Sequence, residues 1–226
     1  MPNRNSIEFV EPSNPILASI TKFGGQPVWI AAPQWPLSKS TGNPMRFVCQ
    51  IALTPDLFGP LTPKMAYIFM TDEEEFVDGT YEPDGGENAI ILQPGNTTLP
   101  VKEQATGPTL YRMVKSADPS RLTPEPCEFN IKATASEDPE YFPEKERSTW
   151  PDEKHNAYVE TLSGNKIGGT PIFLQADEFP GPGTWKLLLQ LDSTTVPFSI
   201  NFGDCGIAYA FISDDEATAK FLWQCG

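Results

Sequence analysis

The residues whose types and spacing can do chemistry begin with two acidic runs, Asp72-Glu73-Glu74-Glu75 and Asp214-Asp215-Glu216. Clustered carboxylates can hold a divalent cation or divide into an acid/base pair, the equipment of a metal-assisted hydrolase. Both runs close matching stretches of sequence, however. That equivalence reads more simply as a solvated face with helix caps, with Thr71 and Glu74, and Ser213 and Glu216, at capping-box spacing. His155 is the only histidine and lies in a charged stretch, with no G-x-S-x-G or other nucleophile motif to use it. "GDCG" at 203–206 sets Asp204 beside Cys205, but no basic neighbour lowers the thiol pKa, and a turn into the next strand explains these residues as well. Cys49, Cys127, Cys205 and Cys225 are far apart and form no C-x-x-C pair, so free thiols are expected and no zinc site. No catalytic residue, metal or cofactor is expected, and the chain reads as a non-enzyme.

Binding is better supported. "KFGGQPVW" at 22–29 and "KIGGTPIF" at 166–173 carry the same residue classes at every place. A phosphate cradle needs a helix after its glycines, and here Pro27 or Pro171 leads into strand-like residues. The glycine pairs Gly24-Gly25 and Gly168-Gly169 are therefore read as a backbone conformation barred to other residues, with the proline fixing the path into the strand. The aromatic residues that follow, Trp29 and Trp35 in one copy and Phe173, Phe179 and Trp185 in the other, are either core or an exposed surface for peptide or sugar. A groove lined by equivalent residues of both copies suits an extended peptide.

These motifs must be positioned by a repeated unit. At an offset of 144 residues, Lys22, Pro27, Trp29 and Trp35 fall on Lys166, Pro171, Phe173 and Phe179. "MRFVCQI" at 45–51 then aligns with "WKLLLQL" at 185–191, with Gln50 over Gln190. A third block sets Tyr67, Phe69 and Asp72 over Tyr209, Phe211 and Asp214. Three blocks in one order indicate an internal duplication within a single composite domain, 1–226. Its parts are a first repeat at about 15–78, a connecting insert at about 79–160 and a second repeat at about 161–226. The blocks alternate apolar and polar residues as strands do, and the Tyr-x-Phe blocks read as interior strands packed on both faces. "NAIILQ" at 88–93 and "CEFNIKAT" at 127–134 are further strands. "TLYRMVKSA" at 109–117 is expected to form a turn or two of helix, and the acidic, proline-rich stretch at 136–156 to be a long exposed loop. The expected fold is mainly β: an internally duplicated antiparallel sandwich or flattened barrel with a few short helices.

Composition removes other classes. The 24 prolines among 226 residues are spread along the chain and argue against long helices. A formal net charge of −14 repels nucleic-acid phosphates and anionic lipid, and Arg112, Lys115 and Arg121 form no basic patch because acids interleave with them. No signal peptide or membrane-spanning stretch is recognisable, which predicts a soluble cytoplasmic protein.

"NKIGGTPIFLQ" at 165–175, "WKLLLQLDS" at 185–193, "NFGDCGIAYAFIS" at 201–213 and the terminal "FLWQCG" resemble the YwqG-type family of bacterial proteins, a domain of unknown function. The K-x-G-G-x-P element is also similar to one in the eukaryotic programmed-cell-death-protein family, which escorts a ribosomal protein. The resemblance implies an all-β unit duplicated from a strand-swapped dimer, with a protein-interaction or chaperone-like role. In that setting Gly168, Gly169, Pro171, Gln190 and Asp204, with Gly24, Gly25, Pro27 and Gln50 in the first copy, build the fold. The eukaryotic cysteine clusters are missing here, so neither zinc nor the ribosomal client carries across. The primary expectation is a monomeric binding module for a protein or peptide, an immunity protein against a toxin being one form of it. A small-ligand or carbohydrate binder and a metal-assisted hydrolase are the alternatives.

Overall fold

Alternating apolar side chains and frequent Gly and Pro punctuation produce short strands throughout. The computed structural model describes residues 1–72, 77–116 and 121–226. The first half contributes β1 (Asn3–Val10), β2 (Lys22–Gly24), β3 (Trp35–Pro36), β4 (Arg46–Ala52), α1 (Pro55–Phe58), β5 (Met65–Met70) and β6 (Asn88–Gln93). A middle stretch adds β7 (Val101–Lys102), β8 (Tyr111–Lys115), β9 (Leu122–Pro126), β10 (Glu128–Glu137), α2 (Glu144–Arg147) and α3 (Asp152–Leu162). The chain continues through β11 (Lys166–Gly168), β12 (Trp185–Asp192), β13 (Ile207–Ser213) and β14 (Ala219–Gln224).

Ten of these strands form one antiparallel sheet in the order β14-β13-β12-β11-β1-β10-β2-β4-β5-β6. Its two end strands, β14 and β6, approach each other, so the sheet nearly closes into a barrel. Two small sheets, β3 with β7 and β8 with β9, lie outside it. The centre is an exchange. β1 precedes the first K-x-G-G-x-P stretch yet pairs with β11, which carries the second; β10 precedes the second yet pairs with β2, which carries the first. β1 and β10 pair with each other along all of β1. Each half thus completes its sheet with a leading strand from the other, and the pairing is satisfied within one chain.

The barrel interior is filled by one apolar cluster that includes Val48, Ile68, Leu188, Ala210, Phe221 and Trp223. The opposite face of the sheet carries two aromatic clusters. Trp35, Phe47, Tyr67 and Phe69 gather in the first half, and Phe173, Leu187, Tyr209 and Phe211 in the second. β5 and β13 are buried on both faces, as interior strands require.

Three local expectations are corrected. Residues 111–115 form β8, not helix: Tyr111 to Lys115 find partners in Pro126 to Leu122, and this long-range ladder overrides a weak local helical tendency. The stretch 136–156 is structured. It ends β10 and then forms α2 and starts α3, which follow Pro143 and Pro151, residues that set the backbone for a first turn. Phe142, Trp150 and Tyr158 pack edge to face there, and Tyr158 joins Leu162 and Ile172 in a small core. Ser213 and Glu216 do not cap a helix. The Ser213 hydroxyl donates to Asp215 Oδ1 and accepts from Thr218 N inside the tight turn from β13 to β14, and Glu216 takes a positive φ. The matching box at Thr71 ends on Glu74, which lies outside the described residues.

Candidate functional site

The two K-x-G-G-x-P loops are pinned by the same polar side chains in the same way. Gln50 Oε1 accepts from Val28 N at 2.8 Å, and Gln190 Oε1 from Ile172 N at 3.0 Å. Their amide nitrogens donate back to Ile20 O and to Leu162 and Gly164 O. The Tyr67 hydroxyl accepts from Ile30 N and donates to Val28 O, and that of Tyr209 accepts from Leu174 N and donates to Ile172 O. Gln93 clasps Ala31 N and Ala32 O, and Gln224 clasps Gln175 N and Ala176 O. Each loop leaves a strand with its backbone groups unpaired, and these side chains supply the partners that a sheet no longer provides. Burial pushes the Tyr67 hydroxyl up to about 12 and that of Tyr209 higher still, so both remain neutral donors at ordinary pH.

The glycine pairs are explained at the same point. Gly24, Gly25, Gly168 and Gly169 all have φ between 64° and 82°. A Cβ on Gly25 would stand 2.2 Å from Glu128 Oε1, and one on Gly169 2.2 Å from Asp138 Oδ2. Those carboxylates are needed where they are, because Glu128 pairs with the buried Lys22 at 2.6 Å and Asp138 with the buried Lys166 at 2.9 Å. Both acids come from β10 or its end, one for each half. Burial pulls Lys166 down to about 8, against the opposing pull of Asp138.

The halves differ in what lies over their aromatic clusters. In the first, the chain covers its own groove. β7 pairs with β3 at Trp35, Trp29 Nε1 donates to Ala105 O, and Gln26 exchanges two hydrogen bonds with the Gly107 backbone. Phe47 N then donates to Pro108 O at 2.9 Å, and Arg46 Nη1 to Thr109 O at 2.7 Å. Trp35 is 0% exposed as a result. In the second half the corresponding face is a cavity of about 470 Å³ lined by Gly168, Gly169, Thr170, Pro171, Phe179, Trp185, Lys186 and Leu187. Pro2, Asn3, Leu57, Phe58, Glu140 and Tyr141 close it from elsewhere in the chain.

The expected binding residues therefore divide. Phe179 and Trp185 are half-buried and line the cavity, while Phe173 is buried behind Phe179 with ring centroids 5.2 Å apart. Trp29 is half-buried and stacks near Tyr67 at 4.6 Å, and Trp35 is wholly inside. Pro27 and Pro171 are buried beneath their loops. Asp204 stands apart and exposed, where its carbonyl accepts from Gly226 N. The Cys205 thiol is pushed up by its hydrogen bond to Asp204, the opposite of activation. All four cysteines are free, and among the described residues no group of three His, Cys, Asp or Glu side chains converges to hold a metal. His155 lies on α3 rather than in a loop. Glu73, Glu74 and Glu75 fall outside the described residues. Sequence reasoning missed Tyr141, Leu57 and Phe58, which reach the cavity from distant elements and carry no local signal. The Gln93 and Gln224 clasps were missed as well, although the shared ends of "IILQ" at 90–93 and "FLWQ" at 221–224 carry a signal that could have found them.

Among the described residues no helix is long and apolar enough to cross a membrane. None of the curated proteins compared with the chain matches it. The family described as a domain of unknown function (DUF1963) matches residues 21–224, from the residue before β2 to the end of β14, and the chain belongs to that family.

Proposed function

We propose that this chain is a non-enzymatic binding module for a protein partner, held at the open cavity beside Phe179 and Trp185. One observation carries the reading: an apolar cavity of about 470 Å³ flanked by half-buried rings, at the place where the first half is covered by polypeptide. Broad rings give contact area at low entropic cost, and such anchors dominate protein recognition. The likeness to YwqG-type proteins, and through them to escort proteins, supports a chaperone-like form of the same role. A net charge of −14 speaks against nucleic acid and anionic membranes as partners, and we place the protein in the cytoplasm. The leading strands are exchanged within one chain, which supports a monomer, and a stable dimer by light scattering would contradict it.

The test is affinity purification of the tagged chain from its own host, at low and moderate salt, with Trp185→Ala alongside. A stoichiometric polypeptide lost from the variant, whose circular dichroism is unchanged, is the expected result. A clean preparation would overturn the reading. The cavity volume also lies in the range of small-molecule sites, roughly 300–1,000 Å³. Saturable quenching of Trp185 by a glycan or metabolite panel would put a small-ligand binder in its place.

A further inference from the structure

We propose that the open cavity receives an extended segment of the partner polypeptide, which adds to β12 at Leu187 as residues 107–109 of this chain add to β4 at Phe47; this rests on the binding-module reading and specifies its contact. Residues 107–110 are held by Gly24, Gln26, Trp35, Arg46, Phe47 and Cys127. The sequence repeat and the sheet register give each a counterpart: Gly168, Thr170, Phe179, Lys186, Leu187 and Asn3. All six counterparts line the cavity.

The backbone is oriented for the same contact. β4 shifts register between Phe47 and Cys49, and β12 shifts between Leu187 and Leu189. Asp214 N donates to Thr184 O, so the alternation of an antiparallel ladder turns the Leu187 N–H away from β13 and toward the cavity, as the Phe47 N–H turns toward Pro108 O. Lys186 stands where Arg46 binds the Thr109 carbonyl, and it likewise reaches an acid just past the end of the next strand, Asp214, as Arg46 reaches Asp72.

The differences set the ligand's chemistry. A Cβ on Gly107 would come 2.8 Å from the Trp35 ring, so a small residue belongs over Phe179. The next place uses only a carbonyl and accepts proline, as Pro108 shows. Thr170 donates to Pro139 O and cannot repeat the paired bonds of Gln26. A Cβ on Gly168 would meet Leu57 Cδ2 at 3.5 Å, where one on Gly24 meets Leu110 Cβ at 3.3 Å. Leu57 thus fills the fourth place, and the site takes three extended residues: Gly or Ala first, then two that offer carbonyls to Leu187 and Lys186.

The probe is a capped synthetic peptide of residues 103–111, titrated into the ¹⁵N-labelled full chain beside the same peptide carrying Gly107→Leu. Saturable shifts of the Leu187 amide and Trp185 indole are expected, with the Leu peptide weaker by about tenfold or more. Silence at about 1 mM peptide, shifts confined to other surfaces, or equal binding of the two peptides would overturn the inference. A natural partner that depends on Trp185 but leaves the Leu187 amide unmoved would also overturn it, while leaving the binding-module reading intact.

Discussion

The groove at Trp35 and the groove at Phe179 share a scaffold and differ in their cover. Gln50 and Gln190, Tyr67 and Tyr209, and Gln93 and Gln224 hold the two loops through the same backbone atoms. Over Trp35 runs the chain's own segment, and beside Phe179 lies a cavity of about 470 Å³. One half has turned its groove into core, and the other has kept it open. The lesson is that the motif specifies a platform, and what lies on the platform is decided by residues outside the motif.

The sharpest break of this comparison is at the rings. Trp35→Ala empties a fully buried site and should cost about 3–5 kcal/mol in urea denaturation, whereas Trp185→Ala, at a half-exposed ring, should cost about 1 kcal/mol. Equal costs would mean that the second groove is as filled as the first. Next in size are the hydroxyl pins. Tyr67→Phe and Tyr209→Phe each leave a loop amide without its acceptor and should each cost about 1–3 kcal/mol, with the two values alike because the bonds are alike. A large difference between them would show that the loops are not held equivalently. Gly107→Leu forces a side chain against Trp35 and should lift the covering segment, at about 1–3 kcal/mol, with a shift in tryptophan emission. An unchanged emission spectrum would deny that this segment seals the first groove.

The smallest effect is electrostatic. Lys166 titrates at about 8 when folded and near 10.5 when unfolded, so between these values the unfolded chain binds more protons. The group's contribution to stability therefore rises with pH through that window and is least favourable below it. The urea midpoint of the natural chain relative to Lys166→Met should move in favour of the natural chain from pH 8 to pH 10. A flat difference would remove the proposed burial effect.

Much of this was legible in the sequence. Apolar residues at every second place of "MRFVCQIAL" and "WKLLLQL" place β4 and β12, and the repeated Lys, Gly-Gly, Gln and Tyr positions are the pins of the two loops. The antiparallel β class follows from short strands and dense punctuation, which suit a sandwich as well as a barrel; the approach of β14 to β6 decides for the barrel. What was hidden depends on distance. A buried lysine announces that it needs an acid, but not that Glu128 serves Lys22 and Asp138 serves Lys166. The segment at 109–117 has a helical local tendency that its ladder with 122–126 overrules. Trp35 and Phe179 occupy one motif position, and only the fold shows that one is covered and the other open.

Amide hydrogen exchange at Phe47 and Leu187, followed in one sample of the free chain, tests the central difference most directly. The Phe47 N–H is bonded to Pro108 O beneath the chain's own segment, and the Leu187 N–H faces the cavity. Leu187 is expected to exchange faster by about a hundredfold or more. Equal protection of the two amides would mean that the second groove is already occupied, and would contradict that difference.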